Sequence, residues 1–248
     1  MNHPMNEMLR TAGVSRRFGG IQAVRDCNIS IQSGSITGLI GPNGSGKTTL
    51  FNLITGVYSP DEGEILFEGK KITNLLPSRI CHGGLSRTFQ ITRLFWEMTA
   101  LENMIVPIRQ VGFRSLLGPN MFRYEIDRAM GLLERVGLTH LKDEPAQKLS
   151  FGQQKLLEFA AILMAEPKMV MLDEPAGGVN PTMIRFIMDL IRDLNKEGVT
   201  FLVVEHNMGV VMELCDHVIV LNQGTKLAEG SPEMIQSNPA VLDAYLGA

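Results

Sequence analysis

Eight consecutive residues constrain this chain more than any others. Gly41-Pro42-Asn43-Gly44-Ser45-Gly46-Lys47-Thr48 fit the pattern GxxxxGK[ST]. They follow the apolar run 36–40 and open a helical stretch, 47–55, closed by Gly56. Strand, tight turn and helix are the setting this pattern needs. Glycines let the backbone curl until several N–H groups face one phosphate chain. The helix start adds a partial positive charge of roughly half a unit. In such a loop Lys47 reaches the terminal phosphates of a nucleotide and the Thr48 hydroxyl ligates Mg2+. Gly41, Asn43, Gly44, Ser45, Gly46 and Thr49 line the rest of the cradle.

The rest of the chain supplies a matching frame. The runs 36–40, 169–172, 200–204 and 217–221 are short and mostly apolar rather than alternating, which suits strands covered on both faces in a largely parallel sheet. Helices are predicted between them at 153–165 and at 181–196, the second with Pro181 at its start and Gly198 beyond its end. This order predicts an α/β fold. Residues from about 93 to 150 carry Ala129, Leu132, Leu133 and Val136 at helical spacing and no clear strand. They are predicted to form a helical insertion within one domain spanning 1–248, a length that suffices for a full core.

Composition narrows the function classes. With 23 Lys and Arg against 26 Asp and Glu the net charge is −3, and no basic stripe is present, which argues against a nucleic-acid partner. Cys27, Cys81 and Cys215 are too widely spaced for a disulfide framework or a zinc site. No apolar run reaches the ~18 to 20 residues needed to span a bilayer, and the N-terminus has no signal-peptide pattern. A cytoplasmic protein is expected, with other chains supplying any membrane spans.

Hydrolysis needs more than a phosphate cradle. The apolar run 169–172 ends in Asp173-Glu174, at the strand edge where α/β ligands bind. Asp173 suits the metal shell, and Glu174 suits a general base acting on water. Just upstream stands Leu149-Ser150-Phe151-Gly152-Gln153-Gln154, directly before a helix, with Ser150 as a candidate N-cap and a second anion site.

With these residues the chain resembles an ABC transporter ATPase, whose signature is commonly written LSGGQ. Phe151 stands where the first signature glycine usually is, while Ser150, Gly152 and Gln153 are retained. The resemblance implies a P-loop NTPase fold of the ABC type. It also implies that the signature of one subunit closes over ATP held by another, and that Ser150, Gly152 and Gln153 contact that nucleotide. By the same resemblance Gln90 senses the γ-phosphate and Mg2+, His206 is the switch histidine, and Phe18 stacks on adenine. Taken alone, His206 also reads as a turn residue and Phe18 as core.

Asn180 stands where the family commonly has an Asp in its dimer-interface loop; the change removes a charge and keeps hydrogen-bonding capacity. Asn180-Pro181 resembles ATPases of branched-chain amino acid importers. That implies a peripheral subunit on the cytoplasmic face of the membrane. It would work with membrane permeases, a second ATPase subunit and, indirectly, a solute-binding protein. A lipid or lipopolysaccharide exporter ATPase is the alternative, and a non-transport ABC ATPase a more distant one. Phe95, Trp96, Met98, Leu101 and Met104 are expected to divide between a groove for a permease helix and the core of the insertion.

Overall fold

The computed structural model describes residues 7–88, 94–106 and 118–246. Two long strands, β1 (Glu7–Phe18) and β2 (Ile21–Gln32), precede β3 (Ile36–Ile40), the glycine loop and α1 (Lys47–Ile54). Next come β4 (Glu62–Phe67), β5 (Lys70–Lys71), α2 (Pro77–His82) and β6 (Leu85–Arg87). A helical stretch follows with α3 (Ala100–Ile105), α4 (Gly118–Arg135) and α5 (Phe151–Leu163). The chain then alternates through β7 (Met169–Asp173), α6 (Pro181–Lys196), β8 (Thr200–Val204), α7 (Met208–Leu214) and β9 (His217–Asn222). It finishes with β10 (Thr225–Gly230), α8 (Pro232–Gln236) and α9 (Pro239–Leu246).

Two sheets result. The larger has the order β10-β9-β3-β8-β7-β6 and is parallel except for its β10 edge. Its central strands explain the unbroken apolar runs. Val170 and Leu172 enter one hydrophobic cluster with Phe201 and Val203. Met169 and Met171 enter another, on the opposite face, with Leu202 and Val204. Each such fully buried side chain contributes about 1.5–3 kcal/mol relative to exposure.

The smaller sheet, β2-β1-β4-β5, is antiparallel and was not expected from the sequence. Its pattern is hard to read because the pairing of β1 with β2 shifts register repeatedly, including between Thr11 and Val14. A shifted register breaks the in–out alternation that marks a strand. Thr11 is buried at that irregularity, donating to the Cys27 carbonyl at 2.9 Å and accepting from the Ile29 N–H at 3.0 Å.

Among the described residues of 94–150 the regular structure is helical. Ala129, Leu133 and Val136 are buried in the cluster that also covers one face of the larger sheet. Met104 is fully buried there too, whereas Phe95, Trp96 and Met98 are exposed. α5 begins at Phe151, two residues before the predicted start, because Ser150 caps it.

Candidate active site

The glycine loop is shaped by close packing as much as by its own sequence. A Cβ on Gly41 would stand 2.1 Å from the Leu221 carbonyl oxygen at the end of β9. Gly46 has φ +101°, and a Cβ there would stand 2.5 Å from the Ala23 carbonyl oxygen on β2. Neither position has room for a side chain. The loop is also tied to the β9–β10 turn, where the Gly224 N–H donates to the Ser45 carbonyl at 2.9 Å. α1 therefore starts in place with no side chain capping it and no acidic residue in its first turn. A helix start without a side-chain cap leaves its leading N–H groups available to an anion.

Lys47 is buried, with Nζ donating to the Gly41 carbonyl at 2.7 Å and the Pro42 carbonyl at 2.9 Å, and with Ser45 Oγ at 3.4 Å. Burial holds its pKa below the ordinary lysine value, and the nearby carboxylates of Glu174 and Asp173 oppose that shift. Asn43, Gly44 and Thr48 are exposed, Ser45 is buried, and Thr49 is half-buried.

β3 and β7 flank β8 in the sheet, so their carboxyl ends stand about 10 Å apart. Asp173 ends β7 as a buried residue, its backbone N–H donating to Thr88 Oγ1 at 3.2 Å. Burial raises its carboxyl pKa, Glu174 raises it further, and Arg87, His206 and Lys47 pull it down. Glu174 follows with φ +51°, a left-handed backbone rare for a residue with a side chain. Its Oε1 lies 2.8 Å from His206 Nε2. With the ring proton on Nε2 this is a hydrogen bond that aims the carboxylate.

His206 is held in turn by Glu205, which is buried beneath it. Glu205 accepts from the Ala176 N–H at 2.7 Å and from the His206 N–H at 3.2 Å. The structure thus brings Asp173, Glu174 and His206 to one edge beside the glycine loop, while Gln90 lies outside the described residues.

The signature segment turns much of its polarity on itself. Ser150 Oγ accepts from the Gln153 N–H at 3.4 Å, and Gln153 Oε1 accepts from the Ser150 N–H at 2.8 Å, a reciprocal cap. Gly152 lies against Met183 of α6. Phe151 is half exposed and its ring lies against Gly178. Asn180 keeps the hydrogen-bonding role expected of it: its side chain accepts from the Met183 N–H at 2.9 Å and caps α6.

Phe18 lies at the tip of β1, exposed, with Tyr58 edge-on at 5.2 Å and the Arg16 guanidinium 4.9 Å from its ring centre. Three residues of this region escaped the sequence reading: Thr88, Glu205 and Lys155. Glu205 was signalled by an acid directly after a fully apolar strand. Lys155 was signalled by its i,i+4 spacing from Phe151.

Comparison with known proteins agrees with this geometry. Residues 24–177 match the family model described as ABC transporter, and residues 225–248 match that described as branched-chain amino acid ATP-binding cassette transporter. The chain is 43% identical over 247 residues to a probable branched-chain amino acid transport ATP-binding protein LivG of Archaeoglobus fulgidus, covering 98% of this chain and 96% of that one. It is also 43% identical to the high-affinity branched-chain amino acid transport ATP-binding protein LivG of Escherichia coli, covering 97% and 98%. A solved nucleotide-free ATP-binding cassette from an ABC transporter superposes with TM-score 0.87 at 38% identity, covering 98% of this chain and 100% of that one. A dimeric cassette bound to ADP and phosphate superposes with TM-score 0.77 at 26% identity, covering 91% and 99%.

Proposed function

The chain belongs to the ABC transporter family as one of its ATP-binding cassettes, and we propose that it hydrolyses ATP to power import of branched-chain amino acids or related small polar solutes. One observation carries the import reading. The match to branched-chain amino acid transport ATP-binding proteins runs almost end to end and extends through the C-terminal 225–248 segment.

The chemistry follows from the residues already placed. The glycine loop and the start of α1 hold the phosphate chain, with Lys47 at its end and Phe18 beside the base. Glu174, aimed by His206, takes the proton from an attacking water. Ser150, Gly152 and Gln153 serve the nucleotide of the opposing cassette.

Thr48 and Asp173 are the described side chains that would hold Mg2+, with Gln90 as a further ligand. They fit that ion. Asp173 is a buried carboxylate whose charge burial opposes, so a cation relieves it. When bound, Mg2+ neutralises charge developing on the transferred phosphate.

No described helix is long and apolar enough to cross a membrane. The cassette instead works at the cytoplasmic face, paired with a second ATPase subunit, identical or different, and with two permeases. A solute-binding protein joins indirectly. A groove of about 380 Å³ supports permease docking. Val57, Pro77, Ile80, Leu94, Phe95 and Ala161 are among its lining residues, so its walls come from the turn after α1, from α2, β6, the segment before α3, and α5. Its walls are mostly apolar, as a helix-in-groove contact with a partner requires.

The test is capture from native membranes with tagged Glu174→Gln protein and Mg-ATP, followed by mass spectrometry. The expected catch is a second ATPase and two small permeases. Exporter-type permeases would favour the lipid-exporter alternative, and a catch of soluble nucleic-acid proteins alone would overturn the transport role.

A further inference from the structure

We propose that Lys155 is a positioning residue for hydrolysis: it pins the backbone of Glu174 in the conformation that presents its carboxylate. The inference rests on the reading of Glu174 as general base. Lys155 lies one turn into α5, and its Nζ donates to the Glu174 carbonyl at 3.0 Å and to the Gly177 carbonyl at 2.7 Å. Its remaining side faces the Phe151 ring, 5.3 Å from the centroid.

Glu174 needs such a device. A side-chain-bearing residue at φ +51° is strained and persists only when its surroundings over-determine it. Its N–H is held by the Val204 carbonyl at 2.9 Å. Its carbonyl has two donors, the Gly177 N–H at 3.0 Å and Lys155. The first belongs to the same turn and moves with it. Lys155 is the donor that comes from another element, and so it fixes the turn relative to α5.

Phe151 completes the arrangement. Its ring covers Lys155 and rests on Gly178, where an added Cβ would stand 3.0 Å from the ring. An aromatic at 151 and glycine at 178 are complementary, which gives a local reason for the departure at this signature position. Because Lys155 and the Ser150–Gln153 cap share one helix, any displacement of that cap is carried to the Glu174 carbonyl.

The test separates positioning from folding. In the full chain Lys155→Met should lower kcat on the order of 10- to 100-fold, the scale of a small misplacement of a reacting group. KM for ATP and affinity for a fluorescent ATP analogue should change less than about twofold, as for an interaction made only in the transition state. Lys155→Arg, which still donates, should restore most of kcat. Combined with Glu174→Gln, Lys155→Met should add no further loss, since both act through one group.

Unchanged kcat in Lys155→Met, or equal further loss in the double variant, would overturn the tether. Should Lys155→Met not fold, Lys155→Leu, which also lacks a donor, carries the same comparison at equal melting temperature. A different result, normal turnover by Glu174→Gln alone, would remove the general-base reading on which the tether depends.

Discussion

Two strand ends on one edge of the same sheet are built by opposite means. After β3, the proposed phosphate loop is one contiguous segment, and its shape is forced by backbone that leaves no room at Gly41 and Gly46. After β7, the working edge is assembled from afar. Asp173 comes from β7, His206 and Glu205 from beyond β8, Lys155 from α5, and Thr88 from beyond β6. The first is one contiguous stretch wedged against distant backbone. The second is a meeting of several elements held by side-chain hydrogen bonds. On the proposed reading, phosphate is bound by the contiguous part and turned over by the part assembled from several elements.

Affinity and rate, measured separately, tell the two strand ends apart. The largest effect is expected for Glu174→Gln, with kcat reduced about 10²- to 10⁴-fold, the range of a lost general base. ATP affinity should persist, and an ATP-dependent dimer should accumulate on size-exclusion chromatography. Lys47→Ala should do the reverse at the other end. A charge-assisted hydrogen bond contributes about 1.5–3 kcal/mol, so nucleotide affinity should fall roughly 10- to 150-fold by titration calorimetry. Unchanged affinity would mean that the loop's backbone alone holds the phosphates.

Gly46→Ala tests the wedging itself. Strain of this kind costs about 1–3 kcal/mol, and the Cβ must displace β2, so both melting temperature and affinity should drop.

A smaller effect of opposite sign is expected at the assembled end. The Asp173 carboxyl titrates above its ordinary value in the folded chain because burial and Glu174 disfavour its charge. Between the unfolded and the raised folded pKa the native state holds the extra proton. Stability contributed by this group therefore falls as pH rises through that window, and the cost remains at neutral pH. Asp173→Asn should raise the melting temperature of nucleotide-free protein at pH 7 while abolishing Mg2+-dependent turnover. The gain should vanish in melts below the unfolded carboxylate pKa.

The smallest effect concerns the groove. Burial pushes the Cys27 thiol up to about 11 and the Cys215 thiol up to about 12, whereas Cys81 is exposed on the groove wall. Maleimide should label Cys81 alone in the native protein, leaving basal ATPase activity intact and weakening permease capture.

The same contrast decides what could be read in the sequence. The glycine loop is legible because its physics is local: strand, turn and helix lie within one stretch. Asp173 and Glu174 were legible because an apolar strand ends on them. The left-handed turn at Glu174 and the Lys155 bridge were not, because donor and acceptor stand nineteen residues apart in sequence and meet only in the fold. The antiparallel sheet was hidden by the shifting register of β1. Asn180 was legible only as a hydrogen-bonding residue; its use as the cap of α6 shows where that capacity goes.

The packing of Gly41 on Leu221, and of Ser45 on Gly224, also orders events at the ribosome. Synthesis proceeds from the N-terminus, so the loop is made early, while the β9–β10 turn that shapes it is among the last segments produced. At about 5–20 residues per second the delay is on the order of 10 to 35 s. During that interval the nascent chain carries the loop's residues without the backbone that sets their shape. The loop is finished only when the C-terminal hairpin closes on it, so competence for ATP arrives with the completed cassette.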